Sequence, residues 1–127
     1  MGRHSVASHA KMEISARLEH GSLGRIVAVG DVEEWENQGN SLPVSGDITF
    51  MAFEDLDESS LAIHQPEVIY SPVLARNFDC IEMAMLLQNL GFSGTYRAVG
   101  QGLPKPELIE REVRQITRWL KFEIVQV

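Results

Sequence analysis

Residues 25–31 read Arg-Ile-Val-Ala-Val-Gly-Asp, and Ile26, Val27, Ala28 and Val29 form a short apolar run that no polar residue interrupts. A strand with one wet face alternates apolar and polar side chains. An unbroken run is instead the pattern of a central strand buried on both faces, as in a parallel sheet. Gly30 and Asp31 close the run. Asp31 can then cap a short helix through Glu33, Glu34 and Trp35, where negative charge suits the positive end of the helix dipole, before Gly39 and Asn40 break it.

Outward from this strand the chain alternates strand and helix patterns. Ile48, Thr49, Phe50, Met51, Ala52 and Phe53 predict a second strand that ends at Glu54, Asp55 and Asp57. Asp57 is a helix cap for Leu61, Ala62 and Ile63, Pro66 stops that helix, and Val68, Ile69 and Tyr70 supply a third strand. Asp79 caps the clearest helix, whose apolar face is Ile81, Met83, Ala84, Leu86, Leu87 and Leu90, with Gly91 at its end. Thr95 to Val99 is a fourth strand. Pro106 starts a helix with Ile109, Val113, Ile116 and Leu120 at a 3.6-residue period, and Phe122 to Val127 is a fifth strand. Strands separated by helix-length connections predict a parallel sheet with right-handed crossovers.

Before this unit, residues 1–24 begin polar, carry His4 and His9, and end in Gly21, Ser22, Leu23 and Gly24, which reads as a linker into an α/β domain over residues 25–127. Within the linker Met12, Ile14, Ala16 and Leu18 alternate as in a strand, while Ala10, Ile14 and Leu18 recur as on a helix, so both patterns remain open. A chain of 127 residues is long enough for one self-sufficient core. At 44% hydrophobic and 23% charged residues it has the composition of a globular domain rather than of a disordered or fibrous one.

The formal charge of -7 repels a phosphate backbone. The nearest basic stripe, Arg111, Arg114, Arg118 and Lys121, is interleaved with Glu107, Glu110 and Glu112. It reads as a solvated helix face with Glu107 paired to Arg111 and Glu110 to Arg114, so no nucleic-acid partner is expected. The single cysteine, Cys80, rules out an intrachain disulfide and a thiolate zinc cluster, and its apolar helical setting reads as a buried small hydrophobe. No run of 18 apolar residues suggests a membrane span, and the opening MGRHSVASHAKMEIS lacks the apolar centre of a signal peptide. A cytoplasmic protein with no membrane partner is expected.

Residues 66–87, PEVIYSPVLARNFDCIEMAMLL, resemble the response-regulator receiver family. They can be laid without a gap on that family's Pro-Asp strand, phosphoacceptor loop and following helix start. Glu67 then matches the family's Asp before the third strand, Phe78, Asp79 and Cys80 match its Met-Asp-Gly, and Ile81 and Glu82 match its Ile-Glu. Weaker similarity extends from Arg25 to about Val99. The resemblance implies a flavodoxin-like, receiver-like three-layer sandwich with a five-stranded parallel sheet of order 2-1-3-4-5. It also implies a signalling role.

Receiver chemistry needs a carboxylate pair after the first strand to hold magnesium, a phosphoacceptor carboxylate after the third, then a Thr or Ser and a Lys. Of these the alignment keeps Asp31 alone. Pro72 stands at the phosphoacceptor position with Ser71 beside it, no hydroxyl lies at Val99 or Gly100, and the fifth strand ends without a lysine. Lys105-Pro106 resembles the family's Lys-Pro after strand five, but that match would delete a strand and a helix. Proline has no nucleophile, so a degenerate receiver-like module is expected, one that acts through protein contacts without aspartyl phosphorylation, cofactor or metal.

The family's last helix is missing too. Three helices then cover one sheet face and the short first helix alone covers the other. An apolar face of several hundred Å² is unusual on a monomer, so either residues 8–20 fold back over it or a second subunit does, as a homodimer.

An alternative function is a small flavodoxin-like enzyme or ligand-binding protein with its pocket at the C-terminal strand ends, around Asp31, Glu54, Asp55, Ser71, Pro72 and Gly100. The acidic members could hold a cation, although helix caps and solvated loops explain them more simply. Gly100-Gln101-Gly102 reads as a turn rather than a nucleotide fingerprint. His64, next to a helix end, reads as a favourable C-terminal cation rather than a catalytic base. Trp35 and Trp119 read as core or interface anchors.

Overall fold

A computed structural model describes residues 25–37 and 47–127. Their order is β1 (Ile26–Val29), α1 (Val32–Asn37), β2 (Ile48–Met51), a 3-10 turn (Phe53–Asp55), α2 (Glu58–His64), β3 (Val68–Pro72), α3 (Cys80–Asn89), β4 (Thr95–Gly100), α4 (Pro106–Ile116) and β5 (Lys121–Gln126). The five strands form one sheet of order β2-β1-β3-β4-β5, and every neighbouring pair is parallel. This is the expected α/β, flavodoxin-like fold without a final helix. Gly39, Asn40 and residues 1–24, including the linker and the 8–20 segment expected to fold back, lie outside the described residues.

Local chemistry sets the helix ends. Ser60 N–H donates to Asp57 Oδ1 at 2.8 Å and Asp57 N–H donates to Ser60 Oγ at 3.0 Å, a reciprocal cap at the start of α2. Gln65, at φ 46, ends that helix in the left-handed region. Asp79 caps α3 in the same way. Its Oδ1 accepts from Ile81 N–H at 3.0 Å and Glu82 N–H at 2.9 Å, while Glu82 Oε1 accepts from Asp79 N–H at 3.1 Å. Each such cap is worth about 1 kcal/mol.

Two boundaries differ from the sequence reading. Ala52 and Phe53 do not continue β2, because Asp55 N–H and Leu56 N–H bond back to the carbonyls of Ala52 and Phe53, and the turn stacks Phe53 on Phe78 with ring centroids 4.6 Å apart. The fourth helix stops at Ile116, because Thr117 turns extended and its hydroxyl donates to Val113 O at 2.8 Å. Leu120 and Arg118 are therefore not helical, Lys121 opens β5, and the basic residues do not share one helix face. Glu110, read as an ion-pair partner, accepts Ile124 N–H at 3.0 Å on the outer side of β5.

Strand alternation divides the sheet into two unlike faces. One carries Val27, Val29, Ile69, Tyr96 and Ala98, packed with Met83, Ala84 and Leu87 of α3 and Val113 of α4, all buried. At roughly 2 kcal/mol per large apolar side chain this cluster is the main source of stability. The other face carries Ile26, Ala28, Tyr70 and Val99, flanked by Ile48, Phe50, Val68 and Val125. Among the described residues Trp35 of α1 is the one member of that cluster from outside the sheet. The two tryptophans part company: Trp35 is 4% exposed, whereas Trp119, in the loop before β5, is 76% exposed and anchors no described core.

Candidate functional site

All five strands run the same way, so their C-terminal ends gather at one edge, where β1 passes to β2 on one side and the chain later returns through β3 on the other. The β1/β3 tip is the point at which strand order reverses, the usual ligand position in open α/β sheets. Gly30 and Pro72 meet there. Gly30 leaves the ladder at φ 128, and a Cβ built on it would lie 3.4 Å from the Pro72 Cδ.

A proline inside a central strand demands an explanation, because it lacks the N–H that a ladder uses. In β3, Val68 N–H donates toward β1, to Arg25 O, whereas Val73 N–H donates toward β4, to Val99 O, so Pro72 N faces the β1 side. Pairing with β1 ends at Ala28 and Tyr70, and β1 has already turned away at Gly30. Pro72 thus lies past the last residue that pairs with β1, at the end of the ladder where a missing N–H costs least, while it stays in register with Val99 on the β4 side. The site expected to hold a reactive acid in a receiver-type alignment is here a buried, chemically inert ring.

Ser71 belongs to the other face and does not line the strand tips. It is fully buried, and its Oγ lies 2.6 Å from Tyr96 Oη and donates to Pro72 O at 2.9 Å. A hydroxyl has one hydrogen, so Tyr96 must donate to Ser71. Both protons are committed, and burial raises the Tyr96 phenol well above its ordinary range even though the Ser71 bond lowers it. This is a satisfied core pair rather than a nucleophile and base. Tyr96 was no site candidate in the sequence; its β-strand parity with Ser71 across the β3–β4 pair was the available signal.

The remaining candidates also separate. Asp31 is exposed at the β1 tip and pairs loosely with Arg76, Oδ2 to Nη1 3.5 Å. Glu54 and Asp55 are exposed on the 3-10 turn after β2. Gly100 is buried, and a Cβ there would lie 2.6 Å from Leu103 Cδ1 and 3.1 Å from Val73 Cγ2, so it makes a close-packed corner and not a pocket floor. Among the described residues no three His, Cys, Asp or Glu side chains group as metal ligands. With Pro72 in the third position and a guanidinium beside Asp31, these residues do not fit the magnesium site that the receiver resemblance implies. Lys105 precedes α4, after the fourth strand and not the fifth, which removes its match to the receiver lysine.

Two further groups lie apart from the tips. On the Trp35 face, Arg97 donates from Nε to Glu123 Oε2 at 2.8 Å and from Nη1 to Tyr70 Oη at 3.0 Å. Burial opposes the charge on Arg97, and these two bonds outweigh it, so its pKa is raised. Cys80 is buried at the start of α3; desolvation first, and the neighbouring Asp79 carboxylate next, push its thiol up to about 11, the state of an inert thiol. No helix of the described residues is long and apolar enough to cross a membrane. Comparison of the chain with protein-family models, with curated proteins and with solved structures finds no match.

Proposed function

We propose that the chain is a receiver-like regulatory or protein-interaction module of signal transduction that performs no phosphoryl chemistry and works as a homodimer in the cytoplasm. The observation that carries this reading is Pro72: the end of the central strand β3 offers a buried proline ring where phosphoacceptor chemistry needs a carboxylate. Ser71 does not replace it, because its proton is held by Pro72 O and its oxygen faces Tyr96. The charge of -7 favours protein partners over nucleic acid. The homodimer rests on the border of the Trp35 face, where Ile48, Phe50, Val68 and Val125 are apolar and only partly buried around the buried cluster.

Incubation with acetyl phosphate and magnesium, followed by intact mass measurement, is expected to leave the mass unchanged. Gain of one acid-labile phosphoryl group would refute the reading. Sedimentation equilibrium should return twice the chain mass; a monomer at micromolar concentration would remove the homodimer while leaving the inert strand tip standing.

A further inference from the structure

We propose that the corner where α4 turns into β5, with Trp119 on the turn and Arg114, Arg118 and Lys121 around it, docks a short acidic segment of a partner protein that carries an apolar side chain. The inference deepens the reading of a protein-interaction module and rests on it. Trp119 is 76% exposed, although the residues around it are drawn inward: Thr117 is buried and Leu120 packs against the main core. An indole left in solvent adds nothing to a core, whereas a tryptophan among arginines has the make-up of an interface hot spot. Ile116, exposed at the end of α4, adds further apolar surface.

The turn that presents the indole is fastened on either side of Thr117. Gln88 of α3 donates from Nε2 to Ile116 O at 3.3 Å and accepts Arg118 N–H on Oε1, while the Thr117 N–H and hydroxyl both donate to Val113 O, at 2.9 and 2.8 Å. A surface fixed before binding loses less freedom when a partner arrives. Charge then selects the partner. Arg111, Arg114, Arg118 and Lys121 against the one acid Glu112 give residues 111–121 a charge of +3 in a chain of -7. The pairing expected between Glu110 and Arg114 is not made, because Glu110 Oε2 accepts Ile124 N–H at 3.0 Å, and Glu123 is taken by Arg97 at 2.8 Å. Among the described residues Arg114, Arg118 and Lys121 have no ion-pair partner, so their charge is open to acids from outside. A second copy meeting this corner about a two-fold axis would set like charges together, so the occupant is a different chain. A nucleic acid would meet the same cations but is repelled by the whole chain.

The probe is the fluorescein-labelled peptide Glu-Asp-Glu-Leu-Phe-Asp-Glu-Glu, followed by fluorescence anisotropy against the full chain at low salt. Comparison probes carry Ala-Ala for Leu-Phe, carry Lys for every acid, or are a thymidine oligonucleotide of equal length. Saturable binding of the acidic, apolar peptide is expected, weakening as salt is raised. Trp119→Ala should weaken it about thirtyfold, the size of a hot-spot loss, and Arg118→Gln about fivefold, the size of an exposed ion pair. Both side chains are exposed, so each variant should keep the parent urea midpoint, and Trp119→Ala should keep the parent sedimentation mass. Absence of saturable binding, equal binding of the Ala-Ala peptide, tighter binding of the oligonucleotide, or an affinity unchanged by Trp119→Ala would each overturn the inference. So would a marked fall in the Trp119→Ala midpoint, which would give the indole to the fold, or a halved mass, which would give the corner to a second copy. Failure of the peptide to bind leaves an unchanged mass after acetyl phosphate standing, so the two readings fail separately.

Discussion

Strand β4 sends Tyr96 and Ala98 to one side of the sheet, where both are fully buried, and Arg97 to the other, where a quarter of its side chain meets solvent. The first face is closed by helices α3 and α4 and tolerates polar groups only as a mutually satisfied pair, Ser71 with Tyr96. The second is apolar over β2, β1 and β3 and becomes charged toward β5, with Arg97 held between Tyr70 and Glu123. One backbone thus carries a buried cluster on each side, the first larger and closed by helices, the second smaller and, among the described residues, joined from outside the sheet by Trp35 alone. What separates them among the described residues is helical cover together with the charged pair that β4 and β5 place on the second face.

The sharpest way to break this comparison is to delete equivalent volume from each face. Val113→Ala, inside the helical side, should cost about 2 kcal/mol in denaturant unfolding, whereas Val125→Ala, partly buried on the other, should cost about 1 kcal/mol. Equal losses would mean that the two faces are equally packed.

Next in size is the buried polar pair. Tyr96→Phe should lose about 1 kcal/mol at neutral pH. It should also change the alkaline limb of stability. Burial raises Tyr96 well above its ordinary 10.0 and Cys80 from 9.0 to about 11, so both groups stay protonated in the fold after the unfolded chain has begun to ionise. Their contribution is complete below pH 9 and is lost as pH climbs through the folded values. Denaturant midpoints measured from pH 8 upward should fall, and in Tyr96→Phe the decline above about pH 10 should be shallower. The smallest effect belongs to the charged end of the second face. Glu123→Gln should cost less than about 0.5 kcal/mol and nothing measurable in ~1 M salt, as expected for a half-exposed partner.

Much of this arrangement is legible in the sequence, because it rests on local rules. The unbroken run Ile26 to Val29 announces a strand buried on both faces, and all four residues are buried. The caps at Asp57 and Asp79 follow from residue type and spacing, and so does the stop after residue 64. The errors arise where a tertiary partner overrides pattern. Phe53 looks like a strand residue but turns to stack on Phe78, and the period running to Leu120 is cut short where Ile116 O and Arg118 N–H turn to the side-chain amide of Gln88 on α3. The candidate site was legible only as a location. Strand-end position puts Asp31, Glu54 and Pro72 toward one edge of the sheet, but it cannot tell that Ser71 faces inward or that Gly100 is a packed corner. Nor does it reveal the unpartnered indole of Trp35, which depends on the approach of Gly30 and Pro72 from different strands.

The Glu110 carboxylate that takes the outward Ile124 N–H has a bearing on how copies of this chain can meet. An outermost strand with open backbone groups is a template on which foreign strands add and fibrils grow. Here a side chain from α4 stoppers the middle of that rail. Lengthening of the sheet past β5 is thereby disfavoured, and of the two outer strands it is β5 whose rail is stoppered in this way.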